Sequence, residues 1–270
     1  MTKLIEKAIF QISIDVGVLL GETGKDSEEA IRSLLRLFEI YSIPATWAIV
    51  GCLFIEYPST MERIADKILH GSVKHEIGYH SFTHINFSER SRYYAEIEIK
   101  EGLKIADKYG IIFKSFVFPH NAVGHEDLLK DNGFIIYRGQ NIRRANANQN
   151  LISHVVCKGI DYLAPQPVDP NWRNGIWEIP ASMYFEDLLL PFALLPKAKR
   201  GINAAIFSGN IFHIWFHPQD LIRNPLLINK LEIFLNFIAK KRDEGKIQAL
   251  TMADLGLMLN ENLSITDRIM

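Results

Sequence analysis

Cysteine is nearly absent: Cys52 and Cys157 are the only two in 270 residues. They lie far apart, so they form neither a Cys-x-x-Cys pair nor a disulfide framework, and they read as core thiols in a reducing compartment. Net charge is also lacking, with 30 Lys+Arg against 31 Asp+Glu and a formal charge of −1. No global basic field exists to hold nucleic acid or an anionic membrane, and the short basic run at Lys197, Lys199 and Arg200 reads as a solvated face. No stretch reaches the roughly 18 apolar residues of a membrane span. The early run AIFQISIDVGVLLG is broken by Gln11 and Asp15, which makes a poor signal-peptide core and a good first strand. A cytoplasmic location is the expectation. Gly21 and Gly24, in GETG, lack the lysine and Ser/Thr of a phosphate loop, and neither an internal repeat nor a low-complexity segment is visible.

What is present is alternation. At 48% hydrophobic content the chain can bury a large core. Short apolar runs predict strands at Ala8–Ile14, Ala45–Val50, Glu76–Tyr79, Ser115–Phe118, Phe134–Tyr137, Ile176–Ile179, Ile211–Phe216 and Ile247–Leu250. Between them, helical spacing marks Asp26–Tyr41 (with Asp26 and Glu29 as a capping box), Pro58–His70, Glu89–Tyr109, Glu126–Asn132, about Phe185–Ser208 and Leu226–Arg242. From Arg138 to Pro180 the pattern weakens into Asn, Pro and Gly, a candidate substrate-facing insertion. Strands separated by helices imply a parallel sheet, and the length without a linker favours one α/β barrel domain over residues 1–270, its core at about 8–255.

Chemistry in such barrels sits after the C-terminal ends of the strands. Asp15 ends the first predicted strand; His80 and His84 follow the third, in HEIGYHSFTH; Pro119, His120 and Asn121 close SFVFPHN; His213, Trp215 and His217 lie along IFHIWFHP. The four-residue spacing of His80 and His84 lets both rings converge on one ion on a helical turn, and a carboxylate with two imidazoles is a common divalent-metal set with positions left for water and substrate. Zinc is the expected ion. His125 reads as a helix cap, Glu76 as a buried structural acceptor, and His70, His75 and His154 stay outside the site.

The ordered set SIDVG, HSFTH, FVFPHN and IWFHP resembles the polysaccharide deacetylase family of carbohydrate esterases over Ile9 to about Leu250. The resemblance implies a distorted (β/α) barrel of about seven repeats and hydrolysis of an acetyl group from an amino sugar. It implies a divalent metal on Asp15, His80 and His84, with Asp15 and His217 as the catalytic pair. Pro119, His120, Asn121, His213 and Trp215 would line the substrate groove. The chain departs from the family at three places. Val16 replaces the second of two adjacent aspartates, which leaves Asp15 either on the metal or as base, and Glu22 is one possible substitute. His120 stands where the third motif usually carries an arginine, and only Asp161 or Asp169 could serve for the fourth-motif aspartate. A silent sugar-binding barrel and a metal-independent amide hydrolase are the competing readings. A cytoplasmic enzyme would meet a nucleotide-linked or lipid-linked sugar or a short oligosaccharide.

Overall fold

The computed structural model describes residues 5–17, 24–139, 165–186 and 192–269. The strands are β1 (Ala8–Val16), β2 (Thr46–Ile49), β3 (Glu76–Tyr79), β4 (Ser115–Val117), β5 (Ile136–Gly139), β6 (Asn171–Arg173), β7 (Ile176–Pro180), β8 (Met183–Tyr184), β9 (Ile211–Phe216) and β10 (Ile247–Ala249). They form one sheet in the order β6-β7-β5-β4-β3-β2-β1-β9-β8, with β10 also on β1. All pairs are parallel except the β6–β7 hairpin. An antiparallel bridge from Val168 to Ile211 ties the chain before β6 to β9, drawing the two ends of the sheet together into the expected distorted barrel. Helices α1 (Lys25–Tyr41), α2 (Leu53–Glu56), α3 (Pro58–His70), α4 (Arg92–Tyr109), α5 (Glu126–Asp131), α6 (Leu194–Ser208), α7 (Pro218–Arg223), α8 (Leu226–Asp243) and α9 (Met252–Ile269) accompany it.

β1 shows how the sequence builds both sides of the wall. Its nine residues are all buried, and successive side chains point to opposite faces. Phe10, Ile12, Ile14 and Val16 join the larger apolar cluster with Ile31, Leu34 and Phe38 of α1. Gln11, Ser13 and Asp15 take the other face and form a polar column up the barrel interior. Lower in that interior, Ile9, Ile136, Trp177 and Ile211 pack with Met252, Leu255 and Leu259 of α9. The first turn of α9 is tied to the N-terminal ends of β2 and β3: Met252 N donates to Thr46 Oγ1 (2.8 Å) and Ala253 N to Glu76 Oε2 (2.9 Å). Glu76 is thus a structural acceptor, its carboxyl pushed up by burial, and α9 closes one end of the barrel.

Several boundaries differ from expectation. No Asp26 capping box forms; Gly24, at φ +78°, precedes α1 without a side-chain cap. The helix expected from about Phe185 begins at Leu194, and just before the expected start Met183 and Tyr184 pair with Ile214 and Trp215. β5 is shifted two residues along, so Arg138 is part of the wall and not the start of an irregular segment. Among the described residues no helix is long and apolar enough to cross a membrane. Glu22, Cys157 and Asp161 lie outside the described residues.

Candidate active site

The polar column of β1 ends in Asp15, 2% exposed, whose carboxylate meets an unanticipated partner. Arg138 of β5 donates from Nη1 to Oδ1 (2.8 Å) and from Nη2 to Oδ2 (2.6 Å), a two-pronged pair between side chains 1% and 3% exposed. The same guanidinium donates to Ser13 Oγ (2.9 Å) and Asn121 Oδ1 (3.2 Å) and lies over the Trp215 ring at 4.5 Å. Burial alone would push the Asp15 carboxyl up. The Arg138 charge and hydrogen bonds, with the fields of His80 and His217, outweigh burial and hold it below the usual carboxylate range.

His80 follows β3 and is 2% exposed. Its Nδ1 lies 2.7 Å from the Val117 carbonyl, which can only accept. Nδ1 therefore carries the proton and Nε2 keeps its lone pair. His84 reaches back at φ +61°, its ring edge-on to His80 (4.9 Å between centroids) and to His120 (4.8 Å). Burial pushes His80 down to about 4 and also lowers His84, helped by His120. Neutral imidazoles are the protonation state that metal ligation requires. Among the described residues, five of the seven non-glycine residues with positive φ, namely Ser81, His84, His120, Asn121 and His125, fall in the loops after β3 and β4, a concentration typical of sites that hold strained backbone for function.

His217 precedes α7 on the far side of Trp215. Its backbone N donates to Asp220 Oδ2 (2.8 Å), and Tyr184 Oη donates to the same oxygen (2.6 Å). His217 Nδ1 lies 3.3 Å from that carboxylate and 3.2 Å from Tyr184 Oη. With the Tyr184 proton already given to Asp220, these are acceptor contacts for an Nδ1–H, so Nε2 is the free nitrogen. Burial and the Asp220 charge raise the Tyr184 hydroxyl. The Asp220 carboxyl, which burial alone would raise, is held low by His217 and Tyr184. Tyr184 also stacks on Trp215 at 4.5 Å.

The expected residues thus separate into layers. Asp15, His80, His84 and His217 come together, within the reach of one another's fields. His120 is exposed and Trp215 half-buried beside them. Pro119 is buried beneath the turn, and Asn121 supports Arg138. His213 does not reach the opening: it is fully buried, with Nε2 2.9 Å from Ser13 Oγ, and burial with the Arg138 charge pushes it down to about 3. His125 precedes α5 but turns its Nε2 to the Arg90 carbonyl instead of capping the helix. Arg138, Tyr184 and Asp220 were not foreseen. The available signals were an arginine at the end of an apolar run and an aspartate three residues after His217.

No family model matches the chain. A curated relative, the peptidoglycan deacetylase of Helicobacter pylori, is 24% identical over 223 residues, spanning 77% of this chain and 69% of that protein. The chain is thus similar, at low identity, to a deacetylase of the kind the motifs resemble. A solved Mycobacterium smegmatis structure assigned to the polysaccharide deacetylases superposes with a TM-score of 0.72 at 14% identity, covering 97% of this chain and 92% of that one. The same fold carries a family pseudoenzyme of Bacillus anthracis, at a TM-score of 0.58 and 17% identity over 93% of this chain and 66% of that one.

The family's divalent ion can be tested against the donors present. His80 and His84 fit it: both rings are neutral, His80 is oriented by the Val117 carbonyl, and a β-carbon placed on Gly17 would stand 3.5 Å from His84 Nε2, so the glycine leaves that ring open. Asp15 fits less well, since both of its oxygens are engaged by Arg138. Among the described residues no three His, Cys, Asp or Glu side chains form a ready ligand group.

Proposed function

We propose that this protein is a divalent-metal-assisted hydrolase that releases acetate from an N-acetylated amino sugar or short oligosaccharide. The observation that carries the reading is the buried Asp15–Arg138 pair at the end of β1, beside the edge-on His80–His84 pair whose His84 ring lies over Gly17, two residues on from Asp15. A zinc-like ion on His80 and His84, with its other positions left to water and substrate, would supply Lewis-acid polarisation of the acetyl carbonyl and ease ionisation of a water molecule. Asp15, kept ionised by Arg138, accepts the proton as that water adds to the carbonyl carbon. His217 acts as the imidazolium: its Nε2 proton passes to the amide nitrogen as the C–N bond breaks, leaving acetate and a free amine, and the proton taken up by Asp15 restores it through solvent; Asp220 and Tyr184 hold Nδ1–H so that Nε2 faces outward. His120 and Trp215 contribute surface for the sugar.

This assigns Asp15 to the base position and places the ion on imidazoles. The relative's activity supports the substrate class. A second reading, a silent sugar-binding barrel, draws on the pseudoenzyme with the same fold and on the missing second carboxylate at Val16. The test is acetate release from N-acetylglucosamine oligomers and peptidoglycan fragments with zinc, cobalt, nickel or manganese, alongside elemental analysis. The expected result is bound metal and activity that falls at least about 100-fold in His80→Ala and His217→Ala. Sugar binding with no acetate release under any metal would favour the silent barrel. Metal-free protein whose two variants match wild type in acetate release would overturn the mechanism.

A further inference from the structure

The segment Ser81–Thr83 between the two histidines is held by an acid that the mechanism above does not use. Glu98, in the middle of α4, is 6% exposed. Its Oε2 accepts from Phe82 N (2.7 Å) and Thr83 N (2.8 Å), and its Oε1 accepts from Thr83 Oγ1 (2.6 Å). On the opposite side, the carbonyls of Ser81 and Phe82 accept from Gly51 N (2.9 Å) and Cys52 N (2.8 Å). The loop is gripped from both sides, its N–H groups by Glu98 and its carbonyls by the turn after β2. A side chain on Gly51 would meet the Phe82 ring at 2.8 Å, so that turn is also packed against the loop.

This grip is informative because the loop is not at rest. Ser81 and His84 both sit at positive φ, +62° and +61°, where a residue with a β-carbon is disfavoured and surrounding structure must hold it. Among the described residues no lysine or arginine pairs with Glu98, so its carboxylate is spent on the loop alone. We propose that Glu98 is the positioning residue of the histidine loop: it clamps Phe82 and Thr83 so that His84 turns back against His80 and Gly17. Glu98 touches neither substrate nor ion, and it acts through His84. Its role in turnover rests on the function proposed above, but the clamp itself does not.

The chemistry of the clamp separates it from a bulk effect. In Glu98→Gln the amide oxygen can still accept from both backbone N–H groups and the amide nitrogen can donate to Thr83 Oγ1, so the grip survives without the charge. In Glu98→Ala it is lost. The experiment reads amide hydrogen exchange at Phe82 and Thr83, the imidazole nitrogen shifts of His84, and steady-state acetate release. Expected in Glu98→Ala are exchange about tenfold faster or more at those two amides, displaced His84 shifts, and kcat down about tenfold or more with KM within about twofold. Glu98→Gln should stay within about threefold of wild type on every reading. Wild-type exchange and His84 shifts in Glu98→Ala would overturn the proposal, as would a Glu98→Gln variant as damaged as the alanine. If Glu98→Ala does not fold, Thr83→Val, which removes one of the three bonds, decides: the Thr83 amide must exchange faster, and unchanged protection refutes the clamp. If wild type releases no acetate, the exchange and shift readings still decide it, so failure of the clamp and failure of the deacetylase reading remain distinct.

Discussion

Replacing Arg138 with methionine tests the centre of the site. Wild-type Arg138 makes two short bonds to Asp15 and further bonds to Ser13 and Asn121, all in a wall where its side chain is 1% exposed. Methionine retains the stem but strands a buried carboxylate, and breaking a buried pair from one side costs about 3–5 kcal/mol. Asp15→Asn alone should cost less, because the amide oxygen can still accept from the guanidinium. In the double variant no unpaired charge remains, so the combined loss should fall short of the sum by at least about 2 kcal/mol. The variant's cost should also depend on pH. In wild type the Asp15 carboxyl titrates below its ordinary 3.8, so its stabilisation is present above that value and is lost as pH falls through the folded one. In Arg138→Met the main opposition to burial is gone and the folded carboxyl titrates higher than in wild type, so its penalty is full at neutral pH and shrinks on acidification. Urea unfolding followed by circular dichroism at pH 7 and pH 4.5 measures both effects. A penalty under about 1 kcal/mol, additive variants, or a difference that does not shrink toward pH 4.5 would refute the assignment of Arg138 as the counter-ion that keeps Asp15 charged.

Tyr184→Phe removes one hydroxyl and keeps the ring on Trp215; kcat for acetate release should fall about tenfold with KM little changed and stability lower by about 1 kcal/mol, whereas an unchanged kcat would remove Tyr184 from the support of His217. Acid stability should be governed by the neutral imidazoles of the core. Burial pushes His75 down from 6.5 to about 4 and His213 to about 3, so the unfolded chain takes up protons that the folded one refuses. Stability is complete above about pH 6.5 and declines as pH falls toward 4, by up to ~3 kcal/mol for His75; urea midpoints that stay level from pH 7 to pH 4.5 would contradict this.

The fold was largely readable because its signals are local. β3, α3 and β9 coincide with their expected bounds, each a short apolar run or a helical stripe flanked by turn residues. The backbone of the site was readable for the same reason, since Asp15, His80 and His84 announce themselves by position at strand ends. Their partners were not. Arg138 lies 123 residues from Asp15, and only the barrel brings β5 across from β1. Tyr184 lay just before an expected helix, and only its pairing with Trp215 of β9 shows it to be on a strand. Glu98 looked like one more acid on an amphipathic helix, because nothing in linear order shows which loop crosses above it.

These contacts show how the barrel supports Asp15 and His217 with residues other than those the motif resemblance implies. The inner wall needs a cation beside Asp15, and the barrel can deliver it from any strand whose interior-facing end reaches that height. Here β5 does so, and His120 is released to lie against His84. His217 likewise receives its carboxylate from Asp220 within its own helical turn, with Tyr184 of β8 as the second contact. Position 16 is the departure with no such replacement among the described residues. The Val16 side chain is fully buried in the apolar cluster behind the strand, so the outer face at this height is filled with hydrocarbon. In the mechanism proposed above the work of a second carboxylate would fall on Asp15 and the neutral imidazoles, and the tightness of the Asp15–Arg138 pair would set how that work is divided.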